Sequence, residues 1–578
     1  MKKKLKKIIA FTYCFLSVFF AYSQEQLNNL NTSWSNVLTG SVVCEPVITS
    51  YGFCIVTDAK NIQSFTNSGT LLWEKNIQKS KNLELTCLYE DFILLTDKQN
   101  KKLTLYNPSG SIIWTKNLNF SPLGSPLQGR DGRFFIYSED MIECYGLNGI
   151  QKWQIQTKKN KQLPLQELPD GSIIIFQQET EGKTSGLRIS PFGKIIEEII
   201  FSGTVIKAYT CSEGICLIFN DNTTGLFSLE KNLSKNKWVL KNNGDLTPLN
   251  FAVSSNSDKV FLIQKQGKKT TIVNKINAKK GNFDFSLYCD IINPANIINF
   301  AVNNDYCFIC DDKNSCIYNE DGQLVWYAKN PDQKKWNYVT LTHNNYLIFF
   351  YKDWSMDAYH IYDKNISNKE KKDYSNYFTV TDSQFDVLYS SHFDETLTAP
   401  QRIECLQKGN YAENEAVWIS QVMSIMNMYI KHLNESNFGT RSQLSIFQKD
   451  SVGFEKILNQ LLLFGNSNTI NLAANIISKE TNKSFLQALL NGIIQNGYDP
   501  DEKLLISLEI VSEKVNPKDT VLINAICDSV YSICIFMGLP AYNSKGKEIL
   551  KKFMYPQFSS VNRDYSRQVL KRIIDSDL

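Results

Sequence analysis

From about residue 50 to residue 361 the apolar residues fall in short runs. They are rich in β-branched and aromatic side chains and are cut by Asn, Asp, Gly and Ser, as in EDFILLTD, KKLTLYNPSG and SIIWTKNL. Runs this short, bounded by turn residues, predict β-strands joined by tight turns. From about residue 399 the period changes. Phe454, Ile457, Leu458, Leu461 and Leu462 follow a helical stripe, as do Ile470, Ala473, Ala474 and Ile477, and then Phe485, Ala488, Leu489 and Ile493. Asp499-Pro500 and Asn516-Pro517 read as helix caps followed by first-turn prolines, and Gly465 and Gly497 as helix stops. The chain therefore divides into an all-β part and an all-α part, with the polar stretch 365–398 as a linker between them.

The β part repeats. Trp73, Trp114, Trp153 and Trp326 each stand four residues after a glycine: Gly69, Gly110, Gly149 and Gly322. Weaker copies fill the gap: Gly193 before Glu197, Trp238 after KNLSKN without a glycine, and Gly281 before Phe285. The spacings are 41, 39, 44, 41, 47 and 41 residues. Together with strand-type runs, that period predicts four-stranded propeller blades. Glycine accepts positive φ at a hairpin corner, and the tryptophan on the following strand can wedge against the neighbouring blade. Trp34 keeps the period but lacks three strands before it. The three runs after Trp326 lack a tryptophan strand after them. Joining the two fragments closes a ring without an open sheet edge. The expected fold is an eight-bladed β-propeller over 24–364, followed by an α-helical repeat domain over 399–578. The degenerate middle units leave seven blades as the alternative.

The pentapeptides GTLLW, GSIIW, GIQKW and GQLVW resemble the tryptophan-docking motif of the pyrroloquinoline-quinone (PQQ) type β-propellers. That group includes non-enzymatic relatives such as the outer-membrane assembly propeller lipoprotein. The resemblance implies a PQQ-like propeller and a bacterial cell envelope setting. Enzymes of the family use a vicinal cysteine pair and an acidic, calcium-bearing quinone site. This chain has no adjacent cysteines, so no cofactor is expected. The helical half is loosely similar to HEAT or armadillo repeats, with a compact helical bundle as the alternative.

Composition narrows the function. A net charge of +4 over 578 residues makes no case for nucleic acid. Five lysines, an apolar run from Ile8 to Phe20 and Ala21-Tyr22-Ser23 form a signal-peptide pattern over 1–23. No other apolar run looks long enough to cross a bilayer. The 14 cysteines are scattered through strand-like runs and read as small buried hydrophobes. In the one cluster, Cys307, Cys310 and Cys316, strand alternation puts Cys307 and Cys310 on opposite faces. No nucleophile elbow, zinc-helix, phosphate-loop or dinucleotide motif occurs, and His343, His360, His392 and His432 have no ligand-like spacing. Lys545, Lys547, Lys551, Lys552, Arg563, Arg567, Lys571 and Arg572 make the terminal segment basic; a solvated capping helix is the simplest reading.

These features favour an exported, non-enzymatic, monomeric scaffold that binds other envelope proteins. The alternatives are a surface module for glycans or peptides, and a PQQ-type oxidoreductase or other propeller enzyme. The expected catalytic, cofactor-binding and metal sets are empty. The residues singled out are those of blade docking: Trp34, Gly69, Trp73, Gly110, Trp114, Gly149, Trp153, Trp238, Gly322 and Trp326.

Overall fold

The computed structural model describes residues 32–361 and 451–576 together with scattered helical positions between 422 and 434. Short stretches within these ranges fall outside the description: 130–131, 159–163, 169–170, 180–181, 192, 229–232, 234, 241–245, 254–258, 268–269, 298, 303–305, 320, 330–335 and 464–466. The signal-peptide pattern (1–23) and the linker (365–398) lie outside the described residues.

The strand-like runs pair into eight four-stranded antiparallel sheets, which are the blades of a propeller. Seven blades are continuous in sequence, at 47–76, 83–117, 127–156, 166–201, 205–240, 246–289 and 299–329. The eighth takes three strands, Trp336–Leu341, Tyr346–Tyr351 and Ser355–His360, and its outermost strand is Trp34–Val37. Trp34 pairs with Ala358 and Val37 with Ser355, and the N–H of Ser33 donates to Ala358 O at 2.7 Å. The two chain ends of the propeller thus share one sheet, and the N-terminal strand completes the fourth position of the last blade. This excludes the seven-bladed alternative.

The middle strands of a blade are buried and the outermost is mostly exposed, as in the first blade, where GFCIVT and NIQSFT are buried and only Trp73 is buried in LLWEKN. In all seven continuous blades the pairing of third and outermost strands slips by one residue close after the hairpin corner. Such a bulge twists the strand and re-aims the side chain that follows. Here it turns the tryptophan position toward the next blade.

In the 299–329 blade, Cys310 packs in one inter-blade cluster and Cys307 in the other. They do face opposite sides of one strand, Tyr306–Cys310.

Seven helices follow among the described residues: α1 (Ser451–Leu463), α2 (Ser467–Ile477), α3 (Lys483–Asn496), α4 (Lys503–Lys514), α5 (Thr520–Met537), α6 (Pro540–Lys552) and α7 (Ser560–Ser576). They stack in two layers. α1, α3, α5 and α7 neighbour one another in one layer, and α2, α4 and α6 in the other. The apolar stripes expected at Phe454 to Leu462 and at Ile470 to Ile477 are buried, as are Phe485, Leu489 and Ile493. Gly497 ends α3 in the left-handed conformation, φ +67°.

Two expected starts move. α4 begins at Lys503 and α5 at Thr520, so Pro500 and Pro517 lie in the turns before the helices. Asp519, not Asn516, caps α5, accepting from Leu522 N at 3.2 Å. Asn516 instead closes the preceding turn, its carbonyl accepting from Asp519 N. α5 also corrects the reading of membrane-crossing length, since its 18 residues are apolar enough by composition to span a bilayer. Its Ile523, Ile526, Cys527, Val530, Ile533 and Cys534 are buried, and it is the central helix of the stack.

Most of the basic residues of the terminal segment already have partners. Lys552 pairs with Glu509 and Glu513, Arg567 with Asp564, and Arg572 stacks on Tyr531.

The blade contact makes a specific demand on Gly110. Its φ is +80°, and a Cβ there would lie 2.4 Å from Trp73 Cδ2. Gly110→Ala is expected to cost about 2–4 kcal/mol, from left-handed strain and displacement of the indole. Trp73→Ala is expected to cost about 3–5 kcal/mol. Urea unfolding of the two single variants and the double variant checks this. Shared contact predicts a double-variant cost well below the sum of the two.

Candidate functional site

The singled-out tryptophans and glycines come together between blades rather than within them. Trp34 Nε1–H donates to Asn67 O at 2.9 Å, Trp73 to Pro108 O at 2.8 Å and Trp114 to Leu147 O at 2.8 Å. Trp153 donates to Pro191 O and Trp238 to Ala278 O, both at 2.9 Å. Each indole ring lies under the glycine of the next blade's corner: Trp34 under Gly69, Trp73 under Gly110, Trp114 under Gly149, Trp153 under Gly193 and Trp238 under Gly281.

Three junctions depart from the rule. Gly322 covers Phe285 and Leu287. At the Glu197 position there is no indole: Glu197 pairs with Arg188 of its own blade at 2.7 Å, and buried Leu233 from the next blade's turn packs in one cluster with Ile199 and Phe201. Trp326 packs on Tyr359 and Phe349, because the blade after it draws its outer strand from the N-terminal segment and has no such hairpin. These ten residues build the ring and leave two other features free to act.

The first is a face-on joint between the propeller and the helices. The hairpins ending the innermost strands, and those joining third to outermost strands, emerge on one face of the ring. On blades 2 and 3 (83–117 and 127–156) that face meets the ends of α1, α3 and α5. Asn107 Nδ2 donates to Ile535 O in the last turn of α5 at 2.7 Å, and Asn148 Nδ2 donates to Leu463 O, the end of α1, at 3.1 Å. A helix leaves its last carbonyls without intrahelical partners, so each amide satisfies a group that would otherwise be buried unpaired. Asn107 is itself held, its Oδ1 accepting from Ser111 N at 2.9 Å and Ser109 Oγ at 2.8 Å. Gly538, φ +62°, sits so close to Asn107 that a Cβ would lie 2.4 Å from Nδ2. Phe92 of blade 2 packs on Phe536 at 5.4 Å, and Phe536 on Tyr498 at 5.9 Å. One buried cluster runs from Leu88 and Phe134 through Phe536 to Ile573.

Carboxylates crowd the same joint. Glu90 and Asp91 occupy the turn at the end of the innermost strand of blade 2, both with positive φ. Asp499, Asp501 and Glu502 occupy the α3–α4 turn. Asp499 accepts from Leu504 N and Leu505 N, each at 2.9 Å, and so caps α4 from outside its first turn. Burial still pushes Asp499 up to about 7. Glu90 is pushed up to about 8, first by burial and then by Asp501, Asp499 and Asp91. Its Oε2 is buried without a hydrogen-bond partner.

The second feature is a cleft of about 600 Å³. Val43 to Ile48, Leu83 to Leu85, Ser125 and Tyr338 line it, at the starts of the innermost strands of neighbouring blades. It therefore opens on the face opposite the helices. Glu84 pairs with Lys98 and accepts from Ser125 Oγ at 3.0 Å. Burial, then Glu84, raises the pKa of Glu45. Burial pushes the Cys44 thiol up to about 12 and Cys87 well above its ordinary value, so neither is an activated nucleophile. The cleft combines apolar walls with carboxylates and suits a cationic or amide-bearing side chain. His343 and His360 stand apart from it, and burial lowers both pKa values. Among the described residues, no group of three or more His, Cys, Asp or Glu is placed to hold a metal.

The sequence reading missed Glu90, Asn107, Asn148 and Asp499. The Asn residues carry the signal of a turn, and that signal is satisfied locally by Oδ1. The second half of each amide, which reaches a helix hundreds of residues away, leaves no trace in the local pattern.

No family model matches the chain, and no curated protein matches it. Solved structures similar to it include BamB from Moraxella catarrhalis, with 14% identity over 57% of this chain and 99% of that one, TM-score 0.40. A computationally designed protein, Ika8, shows 12% identity over 56% and 98%, TM-score 0.43. Streptogramin B lyase shows 13% identity over 56% and 97%, TM-score 0.36.

The raised pKa of Glu90 sets a pH dependence. The folded chain holds this proton up to about pH 8, whereas an unfolded glutamate releases it near pH 4.3. Between those values the folded state binds more protons, so stability falls as pH rises and levels off above about 8. Glu90→Gln is expected to flatten that slope and to stabilise by about 2 kcal/mol at pH 8, with little effect near pH 4. Melting curves across pH 4–9 check both the sign and the window.

Proposed function

We propose that the chain is an exported, non-enzymatic scaffold of the cell envelope that binds other envelope proteins. The observation that carries this reading is the joint. Asn107 and Asn148 cap helix ends, and Phe92 packs on Phe536, so ring and helical stack are coupled through a buried core. A scaffold gains from such coupling because two surfaces presented at a fixed separation bind without first being ordered. Large apolar side chains stay exposed on outer strands, including Ile195 and Ile200, and on the helices, including Val521 and Val561. The helical half, similar in pattern to HEAT-type stacks, is proposed as the docking arm. The cleft favours a second reading, a surface module that takes a peptide or glycan at the channel mouth.

The test is crosslinking of the tagged protein in its native envelope, with mass spectrometry of captured chains and link sites. A near-stoichiometric partner linked to lysines of α4 to α7 is expected. Asn107→Ala combined with Asn148→Ala should cut its capture several-fold while the propeller keeps its unfolding transition. A partnerless monomer would sink the scaffold reading and move attention to the cleft.

A further inference from the structure

Twelve free cysteines lie among the described residues, and the scaffold reading uses none of them. Two pairs are each buried in a common cluster, Cys211 with Cys216 and Cys289 with Cys316. The first pair spans a single hairpin of blade 5. The second bridges two blades.

Cys289 ends the outermost strand of blade 6, Phe283–Cys289. Cys316 lies on the third strand of blade 7, Asn314–Asn319. Tyr318, two residues beyond Cys316, shares its face of the strand because side chains alternate. The Tyr318 O–H donates to Cys289 Sγ at 3.0 Å. The chain turns just after Cys289, and the N–H groups of Ile291 and Ile292 point back at the same sulfur. Cys289 Sγ thus faces four donors: an S–H, an O–H and two N–H groups. Donors favour a thiolate over a thiol. Led by the Cys316 contact, they outweigh burial and lower the pKa of Cys289, whereas Cys316 is pushed up, by that contact and then by burial. Cys307 stands opposite Tyr318 in the strand register, and burial pushes its thiol up. A cysteine faced by several donors beside a second, buried thiol is the arrangement of a nucleophilic and a resolving cysteine. The described residues place no third ligand that would make it a metal site.

We propose that Cys289 and Cys316 are a dithiol–disulfide couple whose oxidised form staples blade 6 to blade 7. The oxidant is a small-molecule disulfide. The Cys289 thiolate attacks one of its sulfurs, forming a mixed disulfide and expelling a thiolate, which takes up the proton that Cys289 has lost. Cys316 then attacks the Cys289 sulfur, breaks the mixed disulfide and expels the second thiolate, which takes up the Cys316 proton. Two protein thiols are oxidised to one disulfide, and one small disulfide is reduced to two thiols. Cys289 is 1% and Cys316 0% exposed, so exchange proceeds through opening of the blade contact or before it closes in folding. That opening sets the rate and leaves the equilibrium position unchanged.

The full chain, equilibrated at long incubation with graded ratios of reduced to oxidised glutathione, is quenched with acid, denatured, alkylated and mapped by mass spectrometry. A linked Cys289–Cys316 peptide is expected at the oxidising end and two alkylated peptides at the reducing end, with Cys307 and Cys310 alkylated throughout. Tyr318→Phe removes a donor that stabilises the reduced thiolate. It should shift the midpoint several-fold toward more reducing ratios, which a tyrosine that merely fills space would not do. Cys316→Ser should abolish both the link and the rise in melting temperature on oxidation. Alkylation of Cys289 and Cys316 at every ratio overturns the proposal, as does a link from Cys289 to Cys307. If Cys316→Ser fails to fold, the map of the unaltered chain decides.

Discussion

An indole lying flat under a glycine corner joins five of the eight blade junctions, and the ring depends on that contact. The glycine supplies positive φ for the hairpin and, lacking Cβ, lets the next blade approach the ring face. The indole N–H donates to a carbonyl of the same hairpin, which satisfies both polar groups as the apolar ring is buried. A bulge ahead of the tryptophan aims it. Where the indole is missing, other apolar side chains fill the junction, as buried Leu233 does beside Ile199 and Phe201 and as Phe285 does under Gly322. The contact tolerates such changes because the inner strands carry their own apolar clusters between blades.

The same corners have a second use. On blades 2 and 3 they carry Asn107 and Asn148, whose amides close the ends of α5 and α1. The ring therefore adds side-chain donors to these helix ends, in the case of α5 beside the left-handed Gly538 that already closes it. This explains why the stack stands end-on. Helix ends bring unpaired carbonyls, and hairpins bring side-chain donors. The carboxylates of Glu90 and Asp499 are the cost of bringing two tight turns together there, and the high pKa values are its measure. The helices cover that face at blades 2 and 3, and the cleft opens on the opposite face.

Much of the ring was legible along the chain. Gly110 and Trp114 name a corner and a wedge at fixed spacing, and Trp34 without partners, set against three strands after Trp326, names the closure. The candidate site was legible only in fragments. Glu90 and Asp499 read as ordinary turn acids, and nothing near either one announces the other. Cys289 and Cys316 read as two more buried thiols in strand-like runs. α5 read as one apolar stretch among several, and only its neighbours show that its length serves a core.

The division follows from range. Hairpin corners, strand alternation and helical stripes arise from interactions among residues a few positions apart, so the sequence by itself determined the blades, their closure and the switch from strands to helices, while the structure decided between eight blades and seven. Helix starts were less secure, because Asp499 caps from outside its helix and Asp519 takes the place expected of Asn516. Only the tertiary structure decided which blades carry the helices, which carboxylates face each other in a medium that cannot solvate them, and which thiols touch. Those contacts join residues from about 25 to more than 400 positions apart. They depend on where whole elements come to rest, and a local pattern carries no record of that.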